Sequence, residues 1–168
     1  MAALSPEDRR SLLAAQGWLE LGLPAEAEAE LDAASSAIQD SEELLLARWE
    51  VRSVMNRWDD AIAVARKLLE RFPESPAGPI QLAYSLRRSH NAGLDQAWEA
   101  LHPALDRFPT VSTIPYNLAC YAAQSGRLDE AMDWLARAIQ IEGRSDRIKQ
   151  MALGDDDLKA LWGRIRKL

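Results

Sequence analysis

The sequence predicts an all-α fold built from repeated helical hairpins, and three observations lead to this prediction. Alanine and leucine supply 28 and 24 of the 168 residues, whereas valine, isoleucine and threonine together supply 14, a balance that favours helix over sheet. An alanine recurs at positions 27, 61, 97 and 131, at intervals of 34, 36 and 34 residues. Five residues before it stand Gly22, Asn56, Ala92 and Gly126, three of which suit a tight turn.

The chain is acidic, with the charge concentrated in its first part. The formal net charge is −6, and residues 1–60 carry 13 acidic and 5 basic side chains. An acidic chain without a basic stripe is a poor general binder of nucleic acid, so we expect no such partner. No apolar run approaches the ~18 residues of a membrane span, and charges begin at Glu7, before any stretch long enough for a signal peptide. A cytoplasmic protein without a membrane partner is expected.

The first half of the chain contains clear helix boundaries. Ser5 suits the N-cap of the first helix, Pro6 its first position, and the acids that follow suit the positive end of the helix dipole. Pro24 can occupy the first turn of the second helix without losing a hydrogen bond. Trp49 stands where the other units have alanine, which predicts a wider helix crossing or a rotated helix.

The second half contains an insertion and a closing segment. The third unit is two residues longer than the others, and residues 88–93 are expected to form a longer turn. Ser145 to Leu153 is predicted as a short helix that Gly154 ends, after which 155–157 open a last helix. Its apolar face is predicted to close the open end of the stack, as terminal repeats require, and comprises Leu158, Leu161, Trp162, Ile165 and Leu168.

Three similar phrases surround the recurring alanines: RWDDAI at 57–62, GLDQAW at 93–98 and GRLDEAM at 126–132. With them the chain resembles the tetratricopeptide repeat family, whose unit is a 34-residue helical hairpin with small residues where its two helices cross. The best match is IPYNLACYAAQSGRLDEAMDWLARAIQIEG, from Ile114 to Gly143. The segment IPYNLACYAAQ at its start and the tail MALGDDDLKALW are similar to a group of small bacterial tetratricopeptide proteins.

The resemblance implies a single domain over 1–168, a superhelical solenoid of about four hairpins with a C-terminal capping helix. The repeats are expected at about 8–41, 42–75, 76–111 and 112–145, and the cap at 146–168.

The resemblance also implies a non-catalytic scaffold or adaptor that binds a peptide or helix of a partner protein in a concave groove. In the family geometry the first helix of each unit lines that groove, and we expect the site toward the third and fourth units. The candidate binding residues are Glu50, Gln81, Tyr84, Arg87, Arg88, Tyr116, Asn117, Cys120 and Gln124. Tyrosines would supply rigid contact area, amides would bind the backbone of the bound peptide and arginines would bind its carboxylates. The alternative is that the tyrosines pack between helices and the arginines are solvated.

No cofactor, metal ion or catalytic activity is expected. Cys120 is the single cysteine, which excludes an intrachain disulfide, and neither His90 nor His102 lies in its unit to activate it. The acids at 155–157 lack the spacing of a calcium loop, and helix capping explains them. A helical-repeat enzyme or RNA binder is therefore the least favoured alternative.

The tryptophans raise a second alternative, a secretion-type chaperone or self-associating structural module. Trp98 and Trp134 follow their recurring alanines by one and three residues, near the convex side or between units. If exposed, they would mark a second contact surface. We favour packing between repeats for both, and a monomer and a homodimer both stay open.

Overall fold

The computed structural model describes residues 4–168, and over that range it contains helices and turns but no strand. The first compact unit ends at Ser89 and contains α1 (Pro6–Glu20), α2 (Pro24–Ala33), α3 (Glu42–Val54), α4 (Trp58–Arg71) and α5 (Ala77–Arg88). The second begins at His90 and contains α6 (Leu94–Leu101), α7 (Ala104–Arg107), α8 (Thr113–Gln124), α9 (Leu128–Glu142), α10 (Ser145–Leu153), a 3₁₀ helix (Asp156–Leu161) and α11 (Trp162–Ile165). The all-α prediction is confirmed.

The recurring alanines are fully buried in helices that pack against neighbouring helices. Ala27 and Ala61 in the first unit, and Ala97 and Ala131 in the second, have no exposed surface. In the first unit α1 packs on α2, α3 on α4 and α4 on α5, and in the second α8 packs on α9. Because an alanine side chain ends at Cβ, it lets the two helix backbones approach closely at each crossing.

The predicted tight turns adopt a left-handed backbone. Gly22, Asn56 and Gly126 have φ angles of 73°, 56° and 77°, a conformation that glycine and asparagine tolerate best. Each lies in a connection of the same length, residues 21–23, 55–57 and 125–127. Ala92 does not adopt this conformation, because it lies in the longer connection 89–93 that the insertion predicts.

The predicted cap of α1 is confirmed. The Ser5 hydroxyl accepts a hydrogen bond from the backbone N–H of Asp8 at 3.1 Å. The Asp8 carboxylate in turn accepts from the backbone N–H of Ser35 at 3.1 Å, which joins α1 to the segment after α2. Hydrogen bonds from Ser5 and Ser35 hold the pKa of the Asp8 carboxyl below its usual value.

Trp49 lies at the junction of three helices. Its ring packs against the cluster that contains Val64 and Leu68 of α4, and its indole N–H donates to the Ser85 hydroxyl of α5 at 2.9 Å. Where the other units have alanine, this unit thus has a tryptophan that also joins α3 to α5 through a hydrogen bond.

The C-terminal segment follows the prediction as far as Gly154, which ends α10. The predicted last helix is wrong in detail, because residues 156–161 form a 3₁₀ helix before the short α11. With three residues per turn, this helix places Leu158 and Leu161 on one face, and both are fully buried with Ile165. Leu168 lies beyond the end of α11 and is 50% exposed, so it does not belong to the buried face.

Within the described residues, no helix has both the length and the apolar character needed to cross a membrane.

We expect Gly78→Ala to destabilise the chain by about 1–3 kcal/mol, because α5 lies closely against α4 at this point. A Cβ atom on Gly78 would lie 2.9 Å from the backbone nitrogen of Leu69, closer than any side-chain shift can relieve. Gly17→Ala in α1 is the matched control, since a Cβ atom there meets nothing within 4 Å. The control should raise the free energy of unfolding by about 0.5–1 kcal/mol. Urea denaturation measures both, and an unchanged stability of Gly78→Ala would contradict the close approach.

Candidate binding groove

An open groove of about 640 Å³ lies in the first compact unit, between α1, α3 and α5. α1 and α3 are the first helices of the first two hairpins, and α5 lies where the sequence predicts the first helix of the third. These are the elements expected from the sequence to form the binding face. Three of the predicted binding residues line it: Glu50, Gln81 and Tyr84. Leu12, Gln16, Leu19, Leu46 and Ser53 line it as well, as their spacing along α1 and α3 predicts.

The groove combines an apolar floor with negative charge. Leu12, Leu19 and Leu46 are half-buried along it, and Val54 at the end of α3 is 51% exposed. Its charged side chains are Glu43, which is half-buried, and Glu50, which is exposed. No lysine or arginine is among the described residues that line it. Glu43 is not among the residues predicted from the sequence, although it stands seven residues before Glu50 and so on the same helix face.

Tyr84 closes one side of the groove as part of an aromatic cluster. Its ring centroid lies 5.6 Å from that of Trp49 and 6.1 Å from that of Trp58. The guanidinium carbon of Arg88 lies 3.6 Å from the Tyr84 ring centroid, which is a close cation–π contact. The structure thus uses Arg88 to support Tyr84, and neither Arg88 nor the half-buried Arg87 is among the residues that line the groove.

In the second unit, the C-terminal segment covers the predicted binding residues of α8. The Tyr116 hydroxyl donates to the Asp155 carboxylate at 3.0 Å, and the Cys120 thiol lies 3.6 Å from the same oxygen. The Gln124 amide donates to Asp157. Tyr116 and Cys120 are buried, whereas Asn117 is half-buried and Gln124 stays exposed. This face of α8 is therefore occupied by the chain itself.

Cys120, Asp155 and Asp157 bring possible metal-binding atoms within 4.8 Å of one another. The Asp155 carboxylate, however, already accepts hydrogen bonds from the Tyr116 hydroxyl and from the backbone N–H of Asp157 at 3.0 Å. The second bond is the N-cap of the 3₁₀ helix. The N-cap of the 3₁₀ helix and the contacts of the C-terminal segment with α8 explain why these three side chains lie together.

Trp98 and Trp134 are both half-buried and pack against each other in the second unit, with ring centroids 6.1 Å apart. The His102 ring lies 5.6 Å from Trp98 and 5.8 Å from Trp134. The Arg127 guanidinium lies 4.3 Å from the Trp98 ring centroid and covers it further. This arrangement agrees with packing between neighbouring elements, the role that we favour from the sequence.

The fold is that of known tetratricopeptide repeat proteins. A thermophilic TPR protein of Thermus thermophilus superposes with a TM-score of 0.67 at 18% identity, over 96% of this chain and 100% of that one. MamA from Desulfovibrio magneticus RS-1, from residue 41 to its end, gives a TM-score of 0.67 at 16% identity, over 99% of this chain and 97% of that one. A double mutant of MamA RS-1 gives the same score and identity over 98% and 96%.

No protein-family model and no curated protein matches the chain. At such low identities the solved structures establish the fold alone. The predicted fold class, an all-α fold of tetratricopeptide-type helical hairpins, is confirmed at that level.

We expect Tyr116 to make the stability of the second unit sensitive to alkaline pH. Burial, with nearby Cys120 and Asp155, raises the pKa of Tyr116 well above its usual value of 10.0. Above about pH 10 the unfolded chain would therefore lose the phenol proton that the folded chain retains, and stability would fall with rising pH. Between about pH 10 and pH 11, the free energy of unfolding should fall by about 1 kcal/mol more than in Tyr116→Phe. Equal losses in the two proteins, measured by urea denaturation, would contradict this account of Tyr116.

Proposed function

We propose that the protein is a non-catalytic adaptor that binds a peptide segment or helix of a partner protein in the groove of α1, α3 and α5. The observation that carries the proposal is the groove itself, which is open, lined by several apolar side chains and built from α1, α3 and α5 of the first unit. Its volume of about 640 Å³ accommodates several side chains of a ligand. The likeness to tetratricopeptide proteins supports a helical-repeat interaction module as the general class.

The proposed site lies nearer the N-terminus than the sequence predicts. The third and fourth units were the predicted half because they combine tyrosines, amides and arginines. Tyr116 and Cys120 are buried under the C-terminal segment, however, and Arg88 stacks on Tyr84. Among the predicted residues, Glu50, Gln81 and Tyr84 are those with access to the groove, and the proposal retains these three.

The side chains of the groove favour binding over catalysis. Its ionisable groups are Glu43, Glu50 and Tyr84, and the described lining contains no histidine, cysteine or lysine. The Ser53 hydroxyl donates to the backbone carbonyl of Glu50 at 2.7 Å and not to a basic side chain, so the described lining does not show the paired nucleophile and base that acyl transfer needs. What the groove offers is apolar area, two amides and two carboxylates, which suit recognition of a polypeptide.

A groove-filling variant tests the proposal. Gln16 is exposed on the groove wall, so Gln16→Trp should fill the groove without repacking the core. Peptides selected from a random twelve-residue library against the natural protein should lose about tenfold or more of their affinity for Gln16→Trp, since a filled groove excludes their anchors. Gln140→Trp, the same change at an exposed position of α9, should bind them unchanged.

Two results would contradict the proposal. One is a selection that yields no binder, and the other is a set of binders with equal affinity for the natural protein and Gln16→Trp. Circular dichroism and urea denaturation would establish that both variants retain the fold, so that a loss of affinity reports on the groove.

Exposed leucines of the N-terminal hairpin favour a second candidate function, the self-associating or chaperone-type module. Leu13 of α1 is 69% exposed, and Leu21 in the turn that follows is 70% exposed. Large apolar side chains exposed in this way are frequent at contact surfaces between proteins. Light scattering at two protein concentrations separates a self-associating protein from a monomeric adaptor.

A further inference from the structure

We infer that the groove of α1, α3 and α5 selects a segment that carries lysine or arginine beside apolar side chains. This inference rests on the proposed function and names the chemistry of its ligand. The carrying observation is the juxtaposition, in one groove, of an apolar floor with two carboxylates that have no cation.

Glu43 and Glu50 have no partner among the described residues, whereas several other acids of the first unit are held in ion pairs. Glu28 pairs with Arg57 at 2.8 Å, Asp32 pairs with Arg48 at 2.9 Å, and Asp40 pairs with both Lys67 and Arg71. In the described part of the chain, the two groove glutamates make neither an ion pair nor a side-chain hydrogen bond. A bound cation would therefore find both carboxylates available, with no internal ion pair to break.

The position of the carboxylates strengthens their effect on a ligand. Glu43 is half-buried beside apolar side chains, so its charge is less screened by water and salt than a fully exposed charge would be. An acidic segment would meet both negative charges without compensation, which disfavours it. The apolar floor of Leu12, Leu46 and Val54 requires apolar anchors in the same ligand.

The spacing of the two glutamates predicts the spacing of the positive charges. Seven residues along α3 correspond to about 10 Å along the helix axis. Lysine or arginine residues at positions i and i+7 of a helix share a face and are separated by the same distance. In an extended segment the side chains at i and i+2 or i+4 share a face, at separations of about 7 and 13 Å that bracket it. Gln16 donates its amide N–H to Glu20 at 3.2 Å, which leaves its carbonyl oxygen to accept from the ligand.

A charge-neutralising pair of substitutions tests the inference on the peptides selected from the random library. The peptides that Gln16→Trp excludes should be enriched in lysine or arginine beside apolar residues and depleted in acids. Glu43→Gln with Glu50→Gln should weaken their binding about fivefold, and lysine-to-glutamine changes in the peptide should have no further effect on that variant. Added salt should weaken the natural complex more than that of the variant.

The control has the same change of net charge outside the groove. Glu26→Gln with Glu70→Gln alters exposed positions of α2 and α4 and should leave the affinity within about twofold of the natural value. The affinities of the selected peptides and of their lysine-to-glutamine forms for the folded natural protein report on the same interaction. The test therefore does not depend on the stability of the protein variants.

The inference fails if the groove-dependent peptides are neutral or acidic, or if the Glu43 and Glu50 substitutions leave their affinity unchanged. In either case the proposed function stands, because binding still depends on the groove. Occupation of the groove by a second copy of this chain, seen as a dimer that Gln16→Trp abolishes, would also overturn it. An absence of any groove-dependent peptide would instead refute the proposed function.

Discussion

The close crossing of helices at buried alanines is the constraint on which the rest of the structure depends. Each of α2, α4, α6 and α9 has an alanine with no exposed surface at the recurring position, and the turn before it is short enough to require glycine or asparagine in three of four cases. A larger side chain at these positions would separate the backbones and remove contacts over the whole length of both helices. In the first unit, this regular crossing is what places α1, α3 and α5 along one groove.

The corresponding face of the hairpins' first helices is open in the first compact unit and covered in the second. In the first unit the face is open, apolar and negatively charged. In the second, the 3₁₀ helix lies over α8, and Asp155 accepts a hydrogen bond from the Tyr116 hydroxyl while Leu158 and Leu161 bury the apolar surface. Polar side chains that would suit a ligand are satisfied there by the chain itself, which is why we locate binding in the first unit.

The fold was largely predictable from the sequence, because caps, turns and small residues at crossings are local features with a fixed period. Ser5, Pro24 and Gly154 mark the helix boundaries that the structure confirms. The 3₁₀ geometry of residues 156–161 was not predictable, since the same apolar positions suit an α-helix. Periodicity identifies which side chains share a helix face but not what covers that face, so Tyr116 and Cys120 were predicted to be available. Glu43 could have been found from its spacing to Glu50.

The reactivity of single thiols tests the central claim most directly. The claim is that the groove of α1, α3 and α5 is open in the first unit, whereas the corresponding face of α8 is covered in the second. The natural chain carries one cysteine, Cys120, which is 2% exposed beneath the C-terminal segment. A thiol reagent should modify it on the order of a hundredfold more slowly than the cysteine of Gln16→Cys in a Cys120→Ser background, because Cys120 reacts only after local opening. Equal rates for the two thiols in the folded protein would contradict the account.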